Sequence, residues 1–178
     1  MSFVYADESE LAATRQRFQS GESPLAAELR ALLSLAESAL TQGPWSVTDG
    51  DETAPSGDPH DYYSMAPDWW PDPNNPGGPW IWRDNEWNPE SARETFRRLQ
   101  EMAAAVTDLG AAFYFAGNHA YARRAAILLR HWFLNTATFM HPNLNFAQAT
   151  PGVCEGRSDG IIETTCLLGV VQAAQYLQ

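Results

Sequence analysis

Two arginines stand in irregular parts of the chain, where their side chains could meet an acidic ligand. Arg83 precedes an aspartate in "PWIWRDNEW", and Arg157 follows a glycine in "GVCEGRSDG". A guanidinium group presents a planar fork of donors that matches a carboxylate, so either arginine could bind one. Each could equally form a structural ion pair, Arg83 with the adjacent Asp84. The residue types leave both possibilities open.

The segment around Arg83 is rich in aromatic rings. Five of the seven tryptophans lie between His60 and Glu90, in a stretch with many prolines and few aliphatic residues. Flat rings on irregular backbone suit the CH faces of a sugar, but they also suit packing over helix ends. Four rings exceed what one helix end requires. The candidates for a sugar-binding wall are therefore Trp69, Trp70, Trp80 and Trp82.

A second polar cluster lies in "HPNLNFAQATPGVCEGR", where three side-chain amides precede Arg157. These amides belong to Asn143, Asn145 and Gln148, and they could bind a ligand or stabilise turns. The spacing of His60 and the nearby aspartates matches no metal template. We therefore expect those residues to be hydrogen-bonded loop residues, and the sequence predicts no metal or cofactor.

Composition excludes several classes of function. The net charge is −11, which argues against a nucleic-acid partner. All eleven basic residues are arginines, so lysine-based Schiff-base, pyridoxal phosphate and P-loop chemistry are excluded. Cys154 and Cys166 form no CxxC unit, so neither a zinc cluster nor a disulfide framework is indicated. No apolar run approaches the roughly 18 residues of a membrane span. The first residues also lack a secretory signal, and oligomeric state is left open.

Helical patterns bracket these irregular segments. Residues 7–41 predict two helices, the first begun by Asp7 and Glu10 at capping-box spacing and the second by Ser23-Pro24. Residues 43–87 are irregular. The apolar stripe predicted for the second helix is Leu25, Leu29, Leu32, Ala36 and Leu40.

Asn88-Pro89 predicts the start of a third helix, and Gly117-Asn118 predicts its end. A fourth helix follows to about residue 135, and the two together read as a helical hairpin. The stripe of the third is Phe96, Leu99, Ala103, Val106 and Phe113. The stripe of the fourth is Tyr121, Ala125, Leu128 and Trp132.

After an irregular stretch over residues 139–157, a last helix is predicted from near Asp159 to Gln178. Its inward residues are expected to be Ile162, Leu167, Val171 and Ala174. No strand is predicted, so the fold class is all-α. The last helix carries no stop signal, which favours a fragment of a longer domain.

Taken in order, the motifs resemble one known family. "HDYYSMAPDWWPDP" and "PWIWRDNEWNPE", with "HPNLNFAQATPGVCEGRSDGIIET", are similar to the alginate lyase superfamily domain of polysaccharide lyases. The resemblance continues through "LGAAFYFAGNHAYARRAAILLRHWFLN" and covers nearly the whole chain. It implies that residues 1–178 are the N-terminal part of one such domain, an α/α toroid of helix hairpins that is incomplete in this chain.

The resemblance also implies β-elimination on uronic-acid polymers such as alginate or glucuronan. A neutralised carboxylate makes the C5 proton more acidic, and a tyrosine or histidine removes it. Arg83 and His60 are then expected to neutralise or support the carboxylate, with the main proton-transfer residues beyond Gln178. Substrate would be bound by Tyr62, Tyr63, Trp69, Trp70, Trp80, Asn145, Gln148 and Arg157. The family further implies an anionic polysaccharide partner and an extracellular or periplasmic location.

The chain departs from the family pattern at two places. Asp68 stands where an aromatic residue is usual, and Trp82-Arg83-Asp84-Asn85 stands where Arg-Arg-Asp-Gly is usual. A lost arginine and an added acid weaken the match to a polyanion. Two alternatives therefore remain: a carbohydrate-binding remnant without catalysis, and a tetratricopeptide-like interaction module suggested by "LGAAFYFAGNHAYARRAAILL".

Overall fold

A computed structural model of the protein describes residues 7–21, 25–91 and 93–178. Within those ranges the chain is mainly helical. The α-helices are α1 (Glu8–Gln19), α2 (Ala26–Ala39), α3 (Glu94–Ala116), α4 (His119–Phe133) and α5 (Leu167–Tyr176), with a 3₁₀-helix at Ser158–Cys166. The strands are β1 (Tyr63–Met65), β2 (Trp69–Trp70), β3 (Ile81–Trp82) and β4 (Phe146–Ala149). None of the helices described is long and apolar enough to cross a bilayer.

The chain divides into two compact units, each assembled from separate segments. The first unit, Met1–Pro44 with Glu101–Arg130 and Cys166–Gln178, is helical. In this unit a β-carbon on Gly110 would lie 2.7 Å from that of Ala173, so α3 and α5 pack closely where the glycine lies. Tyr121 of α4 donates a 2.6 Å hydrogen bond to Glu37 of α2. Close packing at small residues and a partly buried hydrogen bond therefore both contribute to this unit.

Several helix signals are confirmed. The carboxylate of Asp7 accepts hydrogen bonds from the backbone of Ser9 and Glu10, which caps α1. Gly117 has φ +70° and separates α3 from α4. The four stripe residues of α4 are all buried. The predicted second-helix cap, Ser23-Pro24, lies outside the described residues. Leu25, expected on the apolar face of α2, is 43% exposed.

The predicted start of the third helix was wrong by five residues, since Pro89 was expected at its first position and α3 begins at Glu94. Asn88 instead forms a turn, with its side chain accepting a hydrogen bond from the backbone of Glu90. The carboxylate of Glu52 accepts hydrogen bonds from the first two backbone N–H groups of α3, at 3.0 Å each. A cap supplied from 42 residues away has no local sequence signal.

The last helix also differs from its prediction. Residues 158–166 form a 3₁₀-helix, and only residues 167–176 are α-helical. A 3₁₀-helix has about 3.0 residues per turn instead of 3.6, so a stripe extrapolated at the α period falls on the wrong face. Ile162 is 61% exposed and Val171 is 46% exposed, while Val170 and Ala173 are buried.

The second unit, Trp45–Gln100 with His131–Thr165, contains the strands that the sequence did not predict. β1 pairs with β4 in a parallel sheet, and β2 pairs with β3 in an antiparallel sheet. The expectation of no strands was therefore wrong. Strands of two to four residues are too short to show an alternating pattern.

Candidate functional site

The two irregular segments singled out in the sequence meet inside the second unit. Besides the β1–β4 pairing, Ala66 donates to the carbonyl of Ala149 and Trp80 donates to that of Pro151, both at 3.0 Å. Backbone hydrogen bonds thus join the segments directly. A concave surface lies beside these hydrogen bonds and encloses a volume of about 500 Å³. This volume is within the ~300–1,000 Å³ range of small-ligand sites.

Side chains from both segments line this concave surface. Its rim carries two exposed rings, since Trp82 is 57% exposed and Trp87 is 72% exposed. Arg157 is the one cationic residue among those that line it in the described chain. The lining residues are Pro67, Asp68, Trp82, Asp84, Asn85, Trp87, Gln148, Arg157, Asp159 and Ile162.

Arg157 is held by polar contacts on several sides. Its Nη2 donates a 2.7 Å hydrogen bond to Oε1 of Gln148 and lies 3.5 Å from a carboxylate oxygen of Asp159. A carboxylate oxygen of Asp68 is 4.0 Å away, and the guanidinium lies 6.0 Å from the ring centre of Trp69. The side chain is 23% exposed. The guanidinium is therefore fixed in place while part of it faces solvent.

Gln148 reaches Arg157 from a distorted position in β4. Tyr63 pairs with Phe146 and Met65 pairs with Ala149, so β4 contains one residue more than β1 over this interval. Gln148 has φ +51°, a left-handed conformation that costs a non-glycine residue about 1 kcal/mol. Such bulges redirect a side chain next to functional sites. Here the bulge brings the Gln148 amide to Arg157.

Behind Gln148 lies a buried carboxylate. Glu163 is 2% exposed, and its Oε2 accepts hydrogen bonds from Tyr62 at 2.6 Å and from Ser64 at 2.7 Å. Its Oε1 lies 3.6 Å from the guanidinium of Arg93. Hydroxyl donors and a nearby positive charge are what a buried carboxylate requires.

The two departures from the family pattern contact each other. The indole N–H of Trp82 donates a 2.7 Å hydrogen bond to a carboxylate oxygen of Asp68. The acid at position 68 therefore fixes the orientation of the tryptophan at position 82 on the rim of the concave surface.

Arg83 is not among the residues that line this surface. Its guanidinium lies 5.0 Å from the ring centre of Trp70 and 3.3 Å from the carboxylate of Glu86. Trp70 itself donates to the Glu86 carbonyl at 3.0 Å. The two neighbours of Arg83 in the sequence, Trp82 and Asp84, do line the surface.

His60 belongs to a separate group of polar side chains in the same unit. Its Nδ1 lies 2.6 Å from the carbonyl of Phe139, and its ring lies 5.6 Å from that of His141. Nδ1 of His141 is 3.0 Å from Asp61. Burial acts to raise the pKa of Asp61, but hydrogen bonds from Ser56 and His141 outweigh it and leave that pKa below its ordinary value.

The two predicted tyrosines lie in and beside β1. Tyr62 is 1% exposed and bonded to Glu163, so its burial lends no support to a substrate contact. Tyr63 is half-buried, and burial together with the negative charge of Glu52 raises the pKa of its phenol. A raised pKa makes a phenol a weaker candidate for a base at neutral pH.

The remaining candidates occupy different settings. Trp69 is half-buried and pairs with Trp82 across β2 and β3. Trp80 is half-buried near the join between the segments. Asn145 is exposed and lines a second depression, to which Arg157 also contributes. The assignment of these residues to substrate binding stays a prediction.

Sequence reasoning missed Ser64, Glu163, Asp159 and Trp87. Ser64 and Glu163 gave no signal, because a lone serine and a lone glutamate have no motif. Trp87 lay within the tryptophan-rich segment and could have been included with the other rings. No group of three or more His, Cys, Asp or Glu side chains in the described residues could hold a metal ion.

A depression lined by aromatic rings and a few fixed polar groups is the usual form of a ligand-binding site. Residues 46–178 match the family model named Alginate lyase, and no curated protein matches the chain. The crystal structure of an alginate lyase from Bacteroides ovatus matches with a TM-score of 0.85 and 40% identity, over 94% of this chain and 44% of that one. The protein belongs to the alginate lyase family. It spans less than half the length of the solved relative.

Proposed function

We propose that this chain supplies the substrate-binding part of a polysaccharide lyase that cleaves uronic-acid polymers of the alginate or glucuronan type. The observation that carries the proposal is the position of Arg157, fixed beside two exposed tryptophan rings on one concave surface. A uronate residue has both features that such a surface recognises, a carboxylate and an apolar ring face.

In the proposed reaction, the guanidinium of Arg157 pairs with the carboxylate attached to C5 of the uronate. This pairing offsets the negative charge that develops when the C5 proton is removed. The C5–H electron pair then forms the C4=C5 double bond, and the C4–O bond breaks. The departing oxygen receives a proton, and the polysaccharide is cleaved without addition of water.

Arg157 suits this role better than Arg83, the residue first expected to hold the carboxylate. Arg83 already pairs with Glu86 and stacks on Trp70, and it does not line the concave surface. The roles assigned to Arg83 and His60 remain predictions. Acidic neighbours of Arg157 offset part of its charge, so we expect the surface to bind one carboxylate at a time.

The proton-transfer step requires a tyrosine or histidine, and neither is found among the residues that line this surface in the described chain. We propose that these residues lie outside the 178 residues, in a complete α/α toroid of which this chain forms the N-terminal part. Such an enzyme would meet its polymer outside the cytoplasm, in the periplasm or the extracellular medium.

Calorimetric titration and an ultraviolet assay test the proposal together. The chain should bind short oligouronates, bind a neutral cello-oligosaccharide at least several-fold more weakly, and release no unsaturated uronate from alginate or glucuronan. Equal affinity for the neutral sugar would favour a carbohydrate-binding role without carboxylate recognition. Failure to bind any of these sugars would refute the proposal, and clear turnover would place the proton-transfer residues within the chain.

A further inference from the structure

We propose that Ser64 and Glu163 are positioning residues for the concave surface. Together they hold Gln148 in its left-handed conformation, and Gln148 in turn orients Arg157. The inference rests on the proposed function in one respect only, namely that Arg157 is the group that meets the substrate.

Two hydrogen bonds link Gln148 to Glu163 through the hydroxyl of Ser64. The backbone N–H of Gln148 donates to Oγ of Ser64 at 2.9 Å, and the hydroxyl of Ser64 donates to Oε2 of Glu163 at 2.7 Å. A serine hydroxyl has one proton. Because that proton goes to Glu163, the lone pairs of Oγ are left to accept from Gln148. The carboxylate therefore sets the direction in which Ser64 can act.

The hydrogen bond to Ser64 stabilises the bulge at Gln148. At this point of β4 the N–H of Gln148 meets a side chain instead of a strand carbonyl. A satisfied N–H offsets the cost of the left-handed backbone, and an unsatisfied buried one would add to it. Without Ser64, an ordinary extended conformation becomes the better alternative, and the Gln148 amide would leave Arg157.

The position of Glu163 follows from the packing of the 3₁₀-helix on β4. A β-carbon on Gly160 would lie 2.4 Å from that of Ala147, so the 3₁₀-helix packs directly on β4 beside the bulge. Residues three apart share one face of a 3₁₀-helix. Gly160 therefore allows the close contact, and the same face presents Glu163 to Ser64. The close packing leaves β4 little freedom to shift.

A contribution to stability does not by itself account for the buried carboxylate of Glu163. A buried carboxylate with its partners is often no more stabilising than apolar residues of similar volume. Glu163, at 2% exposed, is therefore poorly explained as a means of strengthening the core. Its hydrogen bond to the serine beneath the bulge gives it a specific purpose in the geometry of the surface.

The test compares two buried serines of the same unit. Ser64→Ala should weaken binding of a short oligouronate about tenfold, the loss that accompanies roughly one misplaced hydrogen bond. Ser46 is also fully buried and bonded through its hydroxyl to Thr48 and Thr138, away from the concave surface. Both variants should lower the unfolding midpoint in urea by a similar amount. Ser46→Ala should leave the dissociation constant for the oligouronate unchanged.

A double variant separates positioning from general loosening. If Ser64 acts through Gln148, then Ser64→Ala combined with Gln148→Ala should bind no more weakly than Gln148→Ala alone. Additive losses would overturn the inference, as would wild-type affinity in Ser64→Ala. Glu163→Gln, which keeps the shape of the side chain, serves as the second variant if Ser64→Ala fails to fold, and it should weaken binding in the same direction.

The positioning role of Ser64 can be tested even if the proposed function is wrong. Should the unmodified chain bind no oligouronate, the proposed function is lost, while crystal structures of the unmodified chain and of Ser64→Ala still decide the inference. We expect Gln148 to leave the left-handed region in the variant and its hydrogen bond to Arg157 to break. An unchanged Gln148 would overturn the inference.

Discussion

Replacing each of two arginines by alanine distinguishes the two candidate carboxylate sites. Arg157 is mostly buried and held by Gln148, so a bound carboxylate would meet a preorganised donor. A hydrogen bond to a charged group contributes about 1.5–3 kcal/mol. Arg157→Ala should therefore weaken oligouronate binding by about 10- to 150-fold at 25 °C.

Arg83→Ala should have a much smaller effect. The Arg83–Glu86 pair is exposed, with side-chain exposures of 36% and 58%, and pairs of this kind contribute about 0–1 kcal/mol to stability. Because Arg83 does not line the concave surface, we expect the dissociation constant to change by no more than about fivefold. Arg157→Lys should lie between the two alanine variants, because an ammonium keeps the charge but loses the planar fork.

The assay is calorimetric titration of each variant with the same oligouronate at low and moderate salt, after urea unfolding shows that the variant is folded. The weakened variant should also show a shallower dependence of affinity on salt, since one ionic contact is lost. A large loss in Arg83→Ala together with wild-type affinity in Arg157→Ala would refute the reasoning and place the carboxylate on the Arg83 side.

Three further predictions concern stability, and urea unfolding measures each. Glu52→Ala removes the cap of α3 and should cost about 1–2 kcal/mol. Gly160→Ala places a β-carbon 2.4 Å from that of Ala147 and should cost about 1–3 kcal/mol through overpacking. Asp61→Asn should destabilise at neutral pH, and the difference from the unmodified chain should shrink as pH falls below about 4, because the lowered pKa of Asp61 stabilises only the charged form.

Each of these has a matched comparison. Asp7→Ala removes a cap from α1, a helix with no buried residue, and should cost less than Glu52→Ala. Gly57→Ala, at φ +76° with open space around it, tests backbone strain without the steric contact of Gly160. Equal losses in Asp7→Ala and Glu52→Ala, or no loss in Gly160→Ala, would contradict the structural explanation. For Asp61→Asn, a pH-independent difference would show that the interactions of its carboxylate charge do not matter.

How far the sequence could predict the fold depended on the range of the interactions. The cap at Asp7, the break at Gly117 and the buried stripe of α4 each follow from neighbours within a few residues, and the structure confirms them. The start of α3 depends on Glu52, far away in the sequence, and was placed wrongly. The prediction of the last helix was wrong for a different reason. A stretch of 3₁₀ geometry changes the helical period on which the prediction depends.

The candidate site shows the same limit. Sequence reasoning identified Gln148 and Arg157, which the structure brings together, and the tryptophan-rich segment that supplies the rim. It could not identify Ser64 or Glu163, because their contacts arise from the pairing of β1 with β4 and from the packing of the 3₁₀-helix on β4. Nor could it decide between the two arginines, since the contacts of Arg83 and Arg157 depend on the folded arrangement of the two irregular segments.

The parallel pairing of β1 and β4 has a consequence for the order of folding. It joins positions 84 residues apart in the chain, as the hydrogen bond from Gln148 to Ser64 shows. Helices form from local contacts, whereas distant segments must first overcome the entropy of closing a long loop. During refolding, the helical signal in circular dichroism should therefore recover before oligouronate binding does. A newly made chain would pass through a stage in which it is largely helical and cannot yet recognise a sugar.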